Sequence, residues 1–248
     1  MTVHDTVPGR PAHVARHVPA PVTGRVAVPV GGTLLAAGAF GYAQVALPEQ
    51  PLLSDYALVP GGMLPVLTGL LALAGACLWL AYGLAVREPA RTAATRVLLV
   101  AAAAGLLLCA VFPTDPGISQ LSTVAGEIHR WAAAVVLTAL PLAGWTLARR
   151  DTSPAWATTL RAMSVTSALA LACFLLAHPA SVTSAPIDGV AFYGLFQRGV
   201  VLAEIALVAV MATAVGGRRA ATTPRSPRSH ASAAGPAEAG ARSRRLAA

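Results

Sequence analysis

Six apolar runs, each close to the length of a bilayer crossing, take up most of this sequence. They cover roughly residues 26–47, 63–86, 95–112, 125–148, 160–178 and 191–215. A spanning helix needs about 20 predominantly apolar residues at a rise of about 1.5 Å each. In hydrocarbon a segment must satisfy its own backbone N–H and C=O groups, which a helix does. The expected fold is therefore all-α, a polytopic membrane protein of six transmembrane helices. Composition agrees: 56% of the 248 residues are hydrophobic and 11% charged, against roughly 25% charged in soluble domains. A cleaved secretory signal is the rival reading of the first run. That run is longer than the about 7–15 apolar residues of a signal core, and a 25-residue basic segment precedes it, so a retained helix is expected.

The basic residues orient the helices. All 18 are arginine, and the formal net charge is +8. Arg10, Arg16 and Arg25 precede the first helix, and Arg87, Arg91 and Arg96 lie between the second and third. Arg149 and Arg150 lie between the fourth and fifth with Arg161 at the start of the fifth, and seven more, from Arg218 to Arg245, follow the sixth. The other three connections, roughly 48–62, 113–124 and 179–190, hold none and carry Glu49, Asp55, Asp115 and Asp188. Arginine gathers on the cytoplasmic side, so both termini are expected in the cytoplasm and the arginine-free connections outside.

Three segments follow: a basic N-terminal tail (1–25), a transmembrane domain (26–216) and an arginine-rich C-terminal tail (217–248). The tails are rich in Pro, Ala, Ser and Thr without apolar periodicity, a composition that favours disorder. The C-terminal tail suits contact with anionic lipid headgroups. It lacks the interleaved aromatic residues of a nucleic-acid site, so no nucleic-acid partner is expected. Residues 83–113 and 146–179 can be overlaid as two copies of one helical hairpin, with Cys109 matching Cys173. Cys77, Cys109 and Cys173 all lie in apolar runs and offer neither a disulfide framework nor zinc spacing.

Charges inside a bilayer cost roughly 2.5–3.5 kcal/mol each at the helix centre on insertion scales, so those that remain call for an explanation. The candidates are Asp55, Asp115, Glu127, His129, Arg130, His178, Asp188, Arg198 and Glu204, all but Glu204 in the outer half. Glu127 and Arg130 are three apart on one helix face, while His129 points elsewhere. Gln197 and Glu204 are seven apart on one stripe. Arg130 and Arg198 could be held by Asp55, Asp115 or Glu127 as a structural latch. The same groups could line a pocket for a small polar ligand such as a lipid headgroup. Asp115 and Glu204 are the candidate acids and His129 the candidate base. Serine-nucleophile, phosphate-loop and HExxH motifs are absent, and no cofactor or metal is expected. Ser54 next to Asp55 reads as a turn cap.

Four short motifs stand in order: "LLSDYALVPGG" after the first helix, "AVFPTDP" ending the third, "VAGEIHRWAA" opening the fourth and "GLFQRGVVL" in the sixth. Over about residues 28–215 the chain resembles the bacterial and archaeal membrane proteins grouped as domain of unknown function 998. The resemblance implies six membrane helices and marks Asp55, Asp115, His129 and Arg198 as characteristic polar positions. It implies no reaction, substrate or cofactor. The leading expectation is an integral plasma-membrane protein with membrane lipids as partners and an outer polar cluster acting as latch or ligand site. The alternatives are an enzyme on a lipid or isoprenoid substrate and a proton-coupled transporter titrating at Glu204. Oligomeric state is left open.

Overall fold

The computed structural model describes residues 22–116, 123–150, 153–179 and 181–222; of 22–25 and 217–222 only the backbone is described. Six helices follow in chain order: α1 Val22–Ala46, α2 Met63–Arg87, α3 Ala93–Val111, α4 Val124–Ala148, α5 Pro154–Leu176 and α6 Gly189–Thr222. Two short 3₁₀ turns, Ser54–Leu58 and Ala185–Ile187, sit in the first and last arginine-free connections. All six helices contain a stretch long and apolar enough to cross a membrane, and the described residues form no strand.

Helix ends are set by residues outside the apolar runs, so they differ from the expected limits. Helix α5 starts at Pro154, six residues before its run, because proline fits the first turn, where its missing N–H is not needed. Helix α6 continues past its run to Thr222. The remainder of the two expected tails, 1–21 and 223–248, lies outside the described residues.

Consecutive helices pack against each other and α1 closes on α6. Helix α6 also touches α2 and α4, which makes it the central element. Short connections force the helices to alternate in direction. The connections holding Pro48, Pro51, Pro60, Pro113, Pro116, Pro179 and Pro186 therefore gather at one end, called here the proline end. The arginine end carries the other two connections. Small residues set the helix spacing: a Cβ on Gly105 of α3 would lie 2.8 Å from the Ala132 carbonyl oxygen and Val136 Cγ2 of α4.

Helix α5 is the exception to close packing, with 17% of its spanning window buried against 50% for α4 and α6. Its inward stripe reads Ala157, Leu160, Ser164, Ser167, Leu171, Phe174, His178, with alternating steps of three and four. The first four are buried in helix contacts, while the last three line an open cleft. The helix packs at the arginine end and stands away at the proline end. Cys173 is exposed whereas Cys109 is buried, so the two cysteines that the hairpin overlay matches occupy different environments.

Candidate functional site

The cleft lies between the proline-end halves of α4, α5 and α6 and has a volume of about 370 Å³. Its upper wall is polar, with Asp115, His129, Arg130, His178, Tyr193 and Gln197. Its lower wall is apolar, with Ala133, Ala134, Leu137, Leu171, Phe174 and Leu175. Tyr193 fixes the α5–α6 side: its ring stacks on Phe174 at 4.6 Å and meets the His178 ring edge-on at 5.4 Å.

Arg130 is exposed into this cleft and has no ion-pair or hydrogen-bond partner among the described residues. The expected pairing with Asp55, Asp115 or Glu127 is not what the side chains do. Glu127 faces the opposite way, into a shallow groove between α3 and α4. His129, expected to point away from the Glu127–Arg130 face, shares the cleft with Arg130 instead. The two are only about 100° apart on the helix, and the arginine stem is long enough to swing inward.

Asp115 is a cap. Its Oδ1 accepts from Thr123 Oγ1 at 2.8 Å and its Oδ2 from Thr123 N at 3.2 Å. Thr123 Oγ1 in turn accepts from Gly126 N at 3.0 Å, which makes Thr123 the N-cap of α4. The carboxylate thus sits at the positive end of the α4 dipole, a favourable place for it.

Arg198 is the second fixed charge. Its Nε donates to Gln44 Oε1 at 2.7 Å, Nη2 to the Gln50 carbonyl at 2.7 Å and Nη1 to the Pro51 carbonyl at 3.1 Å. The planar guanidinium therefore ties α6 to the end of α1 and the loop after it, using neutral acceptors where a carboxylate was expected. Asp55 is buried in the 54–58 turn, outside the cleft, and burial pushes its carboxyl above the usual range against the opposing pull of the Leu52 backbone and the Arg198 charge. Asp188 is exposed, in a left-handed conformation that ends the 185–187 turn, and takes no part in the cleft.

A second, inner cavity of about 140 Å³ lies toward the centre of the bundle. Ser54, His129, Gln197 and Phe174 belong to the walls of both voids. His129 Nδ1 is 2.9 Å from the Phe112 carbonyl, so in the neutral ring that nitrogen carries the proton and Nε2 is the acceptor. Gln197 Oε1 accepts from Leu53 N at 2.5 Å. At the far end stands Glu204, 1% exposed. Its Oε1 accepts from Ser167 Oγ at 2.7 Å, while Oε2 has no partner among the described residues. Beyond it Leu207, Val208 and Met211 are fully buried, so the cavity approaches Glu204 from the proline end.

Sequence reasoning missed Ser54 as a wall residue, and also Phe174 and Tyr193, whose roles depend on how far α5 stands from its neighbours. The spacing of Gln197 and Glu204 did signal a shared stripe. Among the described residues no three His, Cys, Asp or Glu side chains gather as a metal site would require.

The model of one family, "Protein of unknown function (DUF998)", matches residues 26–214. The chain belongs to this family. The match spans all six apolar helices and agrees with the resemblance drawn from the four motifs. No curated protein and no solved structure matches the chain.

Proposed function

We propose that this DUF998 protein is a plasma-membrane protein, with its arginine end in the cytoplasm, that binds an amphiphile bearing an anionic headgroup in the cleft between α4, α5 and α6. The observation that carries this reading is Arg130: a guanidinium with no ion-pair partner among the described residues, above an apolar wall that opens between loosely packed helices. Any interfacial arginine meets lipid phosphates. This one is set in a concave site with His178 and Tyr193 beside it and Trp131, 67% exposed, at its rim. Such a site retains a lipid longer than the annular layer does.

Native mass spectrometry of protein released from nanodiscs tests this. With phosphatidylglycerol present, wild type is expected to keep one lipid that Arg130→Gln loses about tenfold more readily, in line with roughly 1.5–3 kcal/mol for a hydrogen bond to a charged group. Phosphatidylcholine nanodiscs give the baseline. Equal retention by the two proteins would reject the site.

The cleft also has a pH dependence. Burial, and secondarily the Arg130 charge, hold His178 below the usual histidine range, so it is neutral at pH 7. The groups lining the cleft around it are Arg130, Asp115, His129 and Tyr193. The sign follows: as pH falls through the lowered pKa, His178 gains a positive charge and phosphatidylglycerol is held more tightly, since its phosphodiester stays anionic. Retention is expected to rise between pH 7 and pH 5 (about the range in which histidine titrates) and to stay flat in His178→Phe. A flat wild-type profile would remove His178 from the site.

An enzyme on a lipid or isoprenoid substrate is the second reading, favoured by the His129 tautomer. His129 lines both voids, and a neutral ring with Nδ1 bonded to Phe112 keeps an Nε2 lone pair, which a general base needs. In that reading Glu204 supplies the acid, because both Asp115 oxygens are engaged by Thr123.

A further inference from the structure

Helix α5 packs on α4 and α6. Yet Phe174 of α5 lines the inner cavity together with Phe40 of α1, Leu73 of α2 and Leu106 of α3. A side chain of α5 meets those residues only across the gap between α4 and α6, so the inner cavity reaches through that gap. Phe174 lines the cleft as well, as do Ala133 of α4 and Gln197 of α6. The two voids therefore adjoin at the gap, where Ala133 contributes only a methyl group. Past it the wall is mainly apolar, with Val66, Leu73, Leu106, Val136 and Val201. Water needs two to four polar partners to be held well, and such a wall offers few. Left empty, the wall forgoes dispersion contacts that an apolar chain restores. The volume, about 140 Å³, is near the roughly 150 Å³ at which an apolar cavity in a protein takes up a benzene ring. Along α6 the cavity runs from Gln197 to Glu204, about 10 Å at about 1.5 Å per residue. An extended chain covers that length in roughly eight carbons, at about 1.2 Å per bond.

We propose, on the headgroup reading above, that the amphiphile held at Arg130 turns its apolar chain inward through the gap between α4 and α6, so that the chain end fills the inner cavity instead of lying among bilayer lipids. The ligand class is then a phosphate ester of a single chain of about ten carbons, roughly eight in the cavity and two crossing the gap. The chain enters beside Phe174, whose ring is held in place by its stack on Tyr193.

The test uses decyl phosphate with a diazirine at the chain end, irradiated with the full chain in phosphatidylcholine nanodiscs, and adducts mapped by mass spectrometry. Adducts are expected on Leu73, Val136 or Val201, which line the inner cavity and not the cleft. Val201→Phe, which fills the cavity, is expected to abolish them. Excess unlabelled decyl phosphate or geranyl phosphate is expected to suppress them, and the stronger competitor tells an alkyl from a prenyl source. Adducts confined to the exposed Leu169 and Leu202 of wild type overturn the proposal, and this outcome stands even if Val201→Phe does not fold. Cavity adducts that neither competitor suppresses, or that persist in Val201→Phe, overturn it as well. Arg130→Gln is expected to weaken cavity labelling about tenfold. Cavity adducts that Arg130→Gln leaves unchanged reject the headgroup reading and keep the chain site, whereas adducts on Leu169 and Leu202 that Arg130→Gln abolishes reject the chain site and keep the headgroup.

Discussion

Arg198→Leu is expected to lower the stability of the detergent-solubilised protein by about 3–5 kcal/mol, which for a chain of this size is a fall in Tm of roughly 6–20 °C. The substitution deletes three hydrogen bonds from one guanidinium and leaves the Gln50 and Pro51 carbonyls without their donor. Gly194, one turn earlier, shows how tightly the clamp is built: a Cβ there would overlap the Pro51 carbonyl oxygen and stand 2.7 Å from Arg198 Nη1. Arg198→Lys keeps the charge and loses the planar fork, so it should recover less than half of the loss. Because the acceptors are neutral, exchanging the charges of Arg198 and Asp55 should rescue nothing. A thermal melt of Arg198→Leu within 1 °C (roughly a few tenths of a kcal/mol) of wild type would refute the clamp.

The fold was legible because the bilayer imposes one dominant rule, and the apolar runs obey it. Helix limits were less so: hydropathy reports where hydrocarbon lies, whereas Pro154 and the Gly189 start of α6 report where the helical backbone begins. The candidate site was half legible. Sequence marks which residues are polar in an apolar setting, and it found Asp115, His129, Arg130, Arg198 and Glu204. It does not mark partners, since an arginine bonds a carbonyl as readily as a carboxylate when the carbonyl is presented by a turn. Arg198 is satisfied by backbone oxygens of residues 147 and 148 positions away, which no local spacing encodes. The cleft depends on α5 standing away from α4 and α6, a property of the assembled bundle. The only trace in the sequence is a stripe that changes from Ala, Leu and Ser to Leu, Phe and His along one face.

Asp115 and Arg130, in the Phe-Pro-Thr-Asp-Pro and Glu-Ile-His-Arg segments, therefore have opposite roles, and stability measurements separate them. Asp115→Ala removes both hydrogen bonds to Thr123 and the negative charge at the start of α4, for an expected loss of about 2–4 kcal/mol. Arg130→Gln, with no partner to lose among the described residues, should leave Tm unchanged and alter lipid retention alone. Gly126 sharpens the test. A Cβ on Gly126 would fall inside the Asp115 carboxylate, so Gly126→Ala must push that carboxylate out of the cap and should cost nearly as much as Asp115→Ala. Once Asp115 is alanine, the obstruction is gone. The double variant Asp115→Ala/Gly126→Ala should then be no less stable than Asp115→Ala alone, a coupling between residues in contact as large as the whole cost of Gly126→Ala. Additive losses in that cycle would mean that Gly126 is needed for some other reason, and that the carboxylate is not what holds the start of α4.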